Sequence, residues 1–273
     1  MILSGSVGNP ESYSGSKLCI ADAVVMTVND SAHYYTYVPE VIKGWEKIGI
    51  KPYVYYIGTD IPEIIDGLVH QIIPPEGVNI ISFAQVSRLL LPATIKAENV
   101  MITDVDMLPL PSGYWAKSGG NSRDAFVAMR KKKMKDYMMG WNSASPQVWA
   151  KVFDLNNITQ NGVIEKMKNW KRSGVWDDQN WNSDQIILKA KLQEFRDTGG
   201  EIVDLNEDIF GSSFIDCSTD RLRAGPLNGK KLCYPVNVED LVKDDKIVTF
   251  GPDSDKESSE QYKQVMKILL DKY

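Results

Sequence analysis

Two aspartates that follow a strand-like segment are the first residues with an obvious chemical use. Asp104 and Asp106 come directly after the apolar run 100–103, and Pro109 and Pro111 then interrupt regular structure. In open α/β sheets, ligands bind beyond the carboxyl ends of the strands, which is where both acids would lie. Carboxylate oxygens suit Mn²⁺ or Mg²⁺, and such an ion can join them to a diphosphate. A turn that carries two solvated acids would give the same three-residue pattern.

A second group of acids and aromatic residues lies farther along the chain. Asp184 falls in the first turn of a predicted helix, where the helix dipole stabilises an acid whatever its function. Asp177 and Asp178 lie between Trp176 and Trp181. Tryptophans beside polar residues are typical of sugar-stacking surfaces, but they also fill cores. The residue types therefore leave a binding role and a structural role open.

Basic residues occur at two places of interest. Arg88 is the polar member of an otherwise apolar helical segment, and its planar guanidinium suits contacts with phosphate. A solvated arginine is the alternative. Arg130 to Lys135 reads RKKKMK, which fits a solvated loop or a patch that attracts an anionic acceptor or membrane surface.

The elements that must position these residues alternate between strands and helices in the first half. Short apolar runs rich in β-branched residues predict strands over 23–28, 52–57 and 100–103. Apolar spacing from Tyr37 to Ile48 predicts a helix that Gly49 ends, and 84–97 reads as a helix bent by Pro92. This alternation favours a mainly parallel, doubly wound α/β sheet flanked by helices.

The second half is predicted to be mainly helical. Ser145 and Pro146 form an N-cap and first helical residue, and Asn182 with Ser183 can cap another helix. The predicted elements are a strand over 125–129 and helices over 145–153, around 163–170, over 182–195 and over 262–273, the last behind a capping box of Ser258 and Gln261. The apolar stripe of this last helix predicts a core position.

The composition is that of an ordinary globular protein, with 273 residues, 43% hydrophobic, 25% charged, and a net charge of −5. This net negative charge argues against nucleic acid as a partner. No apolar run reaches the ~18 residues of a membrane span, and residues 1–18 are polar, without the order of a signal peptide. The three cysteines lack metal or disulfide spacing. We expect a flexible leader over residues 1–18, no membrane span and a cytoplasmic location; the oligomeric state stays open.

Four short motifs occur in order between about residues 22 and 195. They are Thr27-Val28-Asn29-Asp30 with Tyr34, Ser87-Arg88-Leu89-Leu90, Ile102-Thr103-Asp104-Val105-Asp106-Met107-Leu108 and Trp181-Asn182-Ser183-Asp184-Gln185. In this order they resemble the GT-A class of nucleotide-sugar-dependent glycosyltransferases. The similarity is to the family that includes glycogenin and the bacterial lipopolysaccharide galactosyltransferases, and equally to divergent GT-A enzymes of large algal viruses.

The resemblance implies a GT-A (Rossmann-like) fold with a mixed, mainly parallel sheet in a single domain over 19–273. Its nucleotide-binding half would cover about 19–110 and its acceptor-side half about 111–273. It implies Mn²⁺ or Mg²⁺ on Asp104 and Asp106, and Asp184 as the catalytic residue beside the transferred sugar. The implied nucleotide-sugar contacts are Thr27, Asn29, Asp30, Tyr34, Arg88, Asp104 and Val105. Candidate acceptor contacts are Trp141, Asn142, Asp177, Asp178 and Trp181.

One part of the family pattern is absent. The family usually ends in a His-x-x-Gly-x-x-Lys-Pro-Trp block, which supplies a third metal ligand and a phosphate-binding lysine. The two histidines of this chain, His33 and His70, both lie upstream, and residues 247–252 read IVTFGP. The sequence therefore leaves the third metal ligand unassigned.

The expected function is metal-dependent transfer of a sugar from a UDP-sugar to a hydroxyl of a glycan acceptor, with inversion or retention left open. One alternative is a nucleotidyltransferase acting on sugar phosphates, although the loop TVNDSAHYY has neither glycine nor Lys/Arg to hold phosphates. The other is an inactive carbohydrate-binding protein on the same fold. The presence of all the candidate site residues argues against an inactive protein. These residues are Asp104, Asp106, Arg88 and Asp184.

Overall fold

The computed structural model describes residues 19–109, 115–116, 124–130, 137, 139–140, 142–206, 248–249, 263–264, 266–268 and 270–271. The predicted leader, the basic residues 131–135, Trp141 and the capping box at Ser258 and Gln261 lie outside these ranges. No helix in the described ranges is long and apolar enough to cross a membrane.

The first half alternates strands and helices, as predicted. Its elements are β1 (Cys19–Ile20), β2 (Ala23–Val28), α1 (Ala32–Tyr35), α2 (Val38–Lys47), β3 (Lys51–Ile57), β4 (His70–Ile72), α3 (Ile80–Ser87), β5 (Val100–Ile102) and β6 (Met107–Leu108). Gly49 follows α2 with a φ of 78°, a left-handed conformation that favours glycine and ends the helix. The three strands and the helix predicted before Gly49 are thereby confirmed.

The second half is richer in helix. Its elements are β7 (Trp115–Ala116), β8 (Phe126–Arg130), β9 (Ser143–Ala144), α4 (Pro146–Val152), α5 (Gln160–Ser173), α6 (Ser183–Asp197), β10 (Ile202–Asn206) and β11 (Val248–Thr249). The Oγ of Ser145 accepts a hydrogen bond from the N–H of Val148 at 3.3 Å, so the predicted cap of α4 is confirmed. Asn182 stands at the N-cap position of α6, but its side chain makes no capping hydrogen bond.

One sheet organises both halves. Its seven strands have the order β10-β8-β9-β5-β2-β3-β4. β2 is parallel to both β3 and β5, and β8 is parallel to β10, whereas the two-residue β9 is antiparallel to both of its neighbours. The expected mixed, mainly parallel α/β sheet is therefore confirmed.

Apolar side chains pack on both faces of this sheet. Along β2, Val24, Met26 and Val28 face one core, which contains Trp45 of α2. Ala23 and Val25 face the other core, built with α3 to α6. Alternate residues of a central parallel strand point to opposite faces, so burial on both faces explains its continuous apolar sequence.

The helix predicted over 84–97 is wrong in its bounds. α3 begins earlier, at Ile80, because the Oδ1 of Asn79 accepts hydrogen bonds from the N–H groups of Ile81 and Ser82 at 3.0 and 3.2 Å. It ends at Ser87, and a separate 3₁₀ turn covers Leu91–Thr94. Pro92 lies in that turn, where it cannot donate a helical hydrogen bond.

The end of the chain packs against the first core. Residues 263–264, 266–268 and 270–271 are helical, and Met266 and Leu270 are buried in the core that contains Trp45. The Nζ of Lys47 donates a hydrogen bond to the carbonyl of Leu270. The core position predicted for the last helix is confirmed at these two residues.

Candidate functional site

The candidate site lies at the carboxyl edge of the sheet, beyond the ends of the neighbouring strands β2 and β5. Val25 of β2 is opposite Ile102 of β5, and the N–H of Thr103 donates to the carbonyl of Val25 at 3.2 Å. Because the two strands are parallel, the residues that follow them emerge at the same edge. Asn29 follows β2 and Asp106 follows β5, and both are buried polar residues.

The residues after β2 form a turn held by its own side chains. The Oδ1 of Asn29 accepts a hydrogen bond from the N–H of Ser31 at 3.0 Å, as in an Asx turn. The Oγ1 of Thr27 donates to the carbonyl of Ala84 in α3 at 2.8 Å. Asp30 is exposed and Tyr34 is half-buried. Thr27 and Asn29 therefore shape the loop, and their predicted donor contacts stay a prediction.

The acidic motif forms a tight turn between β5 and β6. The N–H of Met107 donates to the carbonyl of Asp104 at 3.3 Å, and Val105 is buried in the core that contains Trp45. Because the core takes up the side chain of Val105, its predicted donor contact would have to use the backbone and stays a prediction. Asp106 is buried, whereas Asp104 reaches the surface. The turn therefore presents two carboxylates in different environments.

Arg88 connects this turn to a distant helix. Its Nη1 donates to the Oδ1 of Asp104, and its Nη2 donates to the Oδ2 of Asp184 at 2.6 Å. These partners are 16 and 96 positions away in sequence. The second oxygen of Asp184 accepts a hydrogen bond from the N–H of Gln185 at 2.7 Å. We refer to Arg88, Asp104 and Asp184 as the Arg88 cluster.

The electrostatics of the Arg88 cluster follow from its burial. Burial alone lowers the pKa of Arg88, but the charges of Asp104 and Asp184 and their hydrogen bonds outweigh it and raise this pKa above its usual value. The arginine is therefore a permanent cation. Two acids share its single positive charge, so the cluster carries a formal charge of about −1, which suits a further cation.

Asp178 of the predicted acceptor group belongs to a separate set of contacts. Its Oδ2 accepts hydrogen bonds from the Nζ of Lys171 at 2.5 Å and from the N–H of Asn79 at 3.1 Å. Gln179 donates to its other oxygen at 3.4 Å. We call Asp178, Lys171, Asn79 and Gln179 the Asp178 cluster. The pKa of Asp178 is lowered, because these hydrogen bonds outweigh the opposite effect of burial.

The other predicted acceptor residues are dispersed. Asn142 is fully buried, where its carbonyl accepts from the N–H of Ile102 at 3.0 Å and its side chain donates to the carbonyl of Met139 at 3.2 Å. The Oδ1 of Asp177 accepts from the N–H of Gln179 at 3.0 Å. Trp181 is 64% exposed, three residues before Asp184. Asp177 and Trp181 are exposed, and Trp181 offers the large apolar surface, whereas Asn142 is inaccessible. The acceptor roles stay predictions.

The carboxylates of the site fit a hard divalent cation by their chemistry. Asp104 and Asp106 supply oxygen donors of the kind that Mn²⁺ and Mg²⁺ bind. Within the described ranges, however, no group of three or more His, Cys, Asp or Glu side chains could hold a metal ion. The two aspartates would therefore hold such an ion together with ligand or water oxygens.

The connections between these residues have no signature in the local sequence. The pairing of Arg88 with Asp184 joins a helix end to a helix start 96 positions later, and no local pattern encodes it. Lys171 and Asn79 are likewise not identified by the sequence as partners of Asp178. A signal existed for Asn79 alone, because an asparagine directly before an apolar helical segment is a favoured N-cap.

The chain is an α/β protein with an acidic site at the carboxyl edge of its sheet, and it is similar to solved glycosyltransferases. The glycosyltransferase GlyE of Streptococcus pneumoniae TIGR4 matches with 12% identity and a TM-score of 0.46, over 93% of this chain and 63% of that chain. The galactosyltransferase LgtC, solved with donor and acceptor sugar analogs, matches with 15% identity and a TM-score of 0.44, over 90% of this chain and 95% of that chain.

A third similar structure is the bifunctional glycosyltransferase WbbM, with 11% identity and a TM-score of 0.40 over 97% of this chain and 52% of that chain. This chain thus spans less than two thirds of the length of GlyE or WbbM. No protein-family model and no curated protein matches the chain. The likeness concerns the overall arrangement, and the roles of individual residues rest on their own contacts.

Proposed function

We propose that this chain is a metal-dependent glycosyltransferase that moves a sugar from a nucleotide sugar, a UDP-sugar by resemblance, to a hydroxyl of a glycan acceptor. The observation that carries this proposal is the Arg88 cluster at the carboxyl edge of the sheet. A buried guanidinium binds the strand-end carboxylate of Asp104 and the buried carboxylate of Asp184, and a second strand-end acid, Asp106, follows two residues after Asp104 at the edge where parallel sheets bind ligands. This combination suits a diphosphate with its counter-cation.

Each group has a defined task in the proposed reaction. Asp104 and Asp106 would hold Mn²⁺ or Mg²⁺, which supplies Lewis-acid stabilisation of the leaving diphosphate. Arg88 binds an oxygen of the phosphate or of the transferred sugar through its planar donors. Asn29 and Asp30 border the nucleoside, and Asp184 lies beside the transferred sugar. Trp181 offers its exposed ring to the acceptor.

The reaction is a substitution at the anomeric carbon. The bond between that carbon and the diphosphate oxygen breaks, and its electron pair leaves with the nucleotide. The acceptor hydroxyl forms the new bond and releases its proton to the leaving diphosphate or to water. A permanently charged Arg88 stabilises the negative charge that grows on the leaving oxygen, because a fixed donor in a buried site needs no reorganisation.

Titration calorimetry with UDP in the presence of Mn²⁺ tests the proposal. We expect the parent protein to bind UDP only with the metal, and Asp104→Asn or Asp106→Asn to abolish this binding. A thermal-shift screen of UDP, GDP and their sugars with Mn²⁺ then identifies the donor, because ligand binding to the native state raises the melting temperature.

The two alternatives give different results in the same experiments. An inactive carbohydrate-binding protein would show no release of UDP from any UDP-sugar, with or without acceptor glycans. A nucleotidyltransferase would release pyrophosphate from a nucleoside triphosphate and a sugar phosphate. Unchanged Mn²⁺–UDP affinity in both aspartate variants would contradict the metal site itself.

A further inference from the structure

The two carboxylates that bind Arg88 differ sharply in their access to a ligand. The side chain of Asp184 is 3% exposed and that of Asp104 is 36% exposed. Both oxygens of Asp184 are engaged, one by Arg88 and the other by the N–H of Gln185. Asp184 therefore has little surface with which to meet an acceptor hydroxyl, whereas Asp104 has ample surface to meet a cation.

The guanidinium of Arg88 has bonding capacity left over. Its Nη1 and Nη2 each hold one carboxylate, but among the described residues its buried Nε has no hydrogen-bond acceptor. An unsatisfied buried donor is costly, and a bound oxygen would satisfy it. A cation that draws Asp104 away would also release Nη1. The donors of Arg88 would then face the ligand while Nη2 stays on Asp184.

We infer that Asp184 is a positioning residue that holds Arg88 in place for the donor, and that it does not take the proton of the acceptor. This inference rests on the proposed function and changes the role that the resemblance gives to Asp184. Asp184 sits in the first turn of α6, packed against α3, so both helices fix the position of the pair. When a metal–nucleotide binds, Asp104 would turn from Arg88 to the cation, whereas Asp184 would keep its hydrogen bond with Arg88.

A double-mutant cycle tests this inference. The affinity for Mn²⁺–UDP is measured by calorimetry in the parent, Asp184→Asn, Arg88→Ala and the double variant, together with kcat and KM. We expect Asp184→Asn to weaken affinity by about 10-fold or more, as loss of an orienting partner commonly does. The double variant should bind no more weakly than Arg88→Ala, because Asp184 acts through Arg88.

If Asp184 is instead the general base, Asp184→Asn should change affinity and kcat differently. A general base would leave Mn²⁺–UDP affinity unchanged in Asp184→Asn and lower kcat on the order of 10²–10⁴-fold. That result overturns the inference while the proposed function stands. The same holds if the loss of affinity in the double variant equals the product of the losses in the two single variants. Absence of Mn²⁺–UDP binding in the parent overturns the proposed function and this inference with it.

Two further variants complete the experiment: one is a control, and the other replaces Asp184→Asn if that variant does not fold. Arg196 forms an ion pair with Asp204 at 3.0 Å near the other end of α6, about 18 Å from Asp184 at 1.5 Å per residue. Arg196→Ala is the matched control, and its affinity should equal that of the parent. If Asp184→Asn does not fold, Arg88→Lys replaces it, because a single ammonium cannot hold Asp184 and face the donor together. Parental affinity in Arg88→Lys overturns the inference.

Discussion

The Arg88 cluster and the Asp178 cluster are both built around buried acids with a basic partner, yet they differ in what they leave unsatisfied. Asp178 accepts from Asn79 at the start of α3, from Lys171 of α5 and from its neighbour Gln179, so it joins the segment before α6 to both of those helices. Trp176 adds to these contacts, since its Nε1 donates to the Oγ of Ser82 at 2.9 Å. The Asp178 cluster is a closed set of structural contacts.

The Arg88 cluster has the opposite character. One of its acids, Asp104, is 36% exposed, and the Nε of its arginine has no acceptor in the part of the chain that the structure describes. A burial pattern alone would not separate the two clusters, because each contains a nearly inaccessible aspartate. The difference teaches that unsatisfied donors and an accessible acid, more than buried charge itself, indicate a binding role.

The largest expected effect comes from Arg88→Ala. This change leaves Asp184 buried without its cation, so we expect a loss of about 3–5 kcal/mol in the free energy of unfolding, measured by urea denaturation. Calorimetry should also show a loss of Mn²⁺–UDP affinity on the order of 100-fold or more. If affinity survived in the folded fraction, the Arg88 cluster would be as purely structural as the Asp178 cluster.

Lys171→Met is the matching change in the Asp178 cluster. The change removes the ammonium group that pairs with Asp178 and keeps an apolar stem of similar length. Because the Lys171 side chain is 37% exposed, water can solvate part of the unpaired carboxylate. We expect a loss of about 1–3 kcal/mol in the free energy of unfolding with unchanged Mn²⁺–UDP affinity. A parallel loss of affinity would mean that the two clusters are coupled.

The pH dependence of stability sharpens the comparison further. The pKa of Asp178 is lowered in the folded state, so its contribution is fully present above the unfolded value of about 3.9. It is lost as the pH falls below that value through the folded pKa. Urea denaturation of the parent and Asp178→Asn from pH 6 downward should show a constant difference that shrinks below about pH 4. A difference that is the same at pH 3 and pH 6 contradicts this assignment.

The smallest effect on stability is expected at Trp181, which lies on the segment that links the two clusters. Because its side chain is 64% exposed, Trp181→Ala should change the free energy of unfolding by less than about 0.5 kcal/mol. If Trp181 stacks on the acceptor, the acceptor KM should rise by several-fold while donor affinity stays at the parental level. Steady-state kinetics with varied acceptor distinguish this role from a mere surface tryptophan.

Local patterns were sufficient wherever a few adjacent residues decide the structure. The apolar runs that became β2 and β5, the cap at Ser145 and the stop at Gly49 each depend on neighbours in sequence. Asp104 and Asp106 could be placed at a strand end for the same reason. The two-residue β9 could not be predicted, because two residues are too short to show a period.

The sequence by itself determined the alternation of strands and helices, and with it the edge of the sheet at which Asp104 and Asp106 lie. Only the tertiary structure decided that Arg88 binds both Asp104 and Asp184, and that Asp178 binds Lys171 and the start of α3 instead of facing that site. An acid in a first helical turn or beside a tryptophan has the same local sequence whether it belongs to a ligand site or only stabilises the fold. Its partner comes from the packing of α3, α5 and α6, which brings together residues up to 99 positions apart.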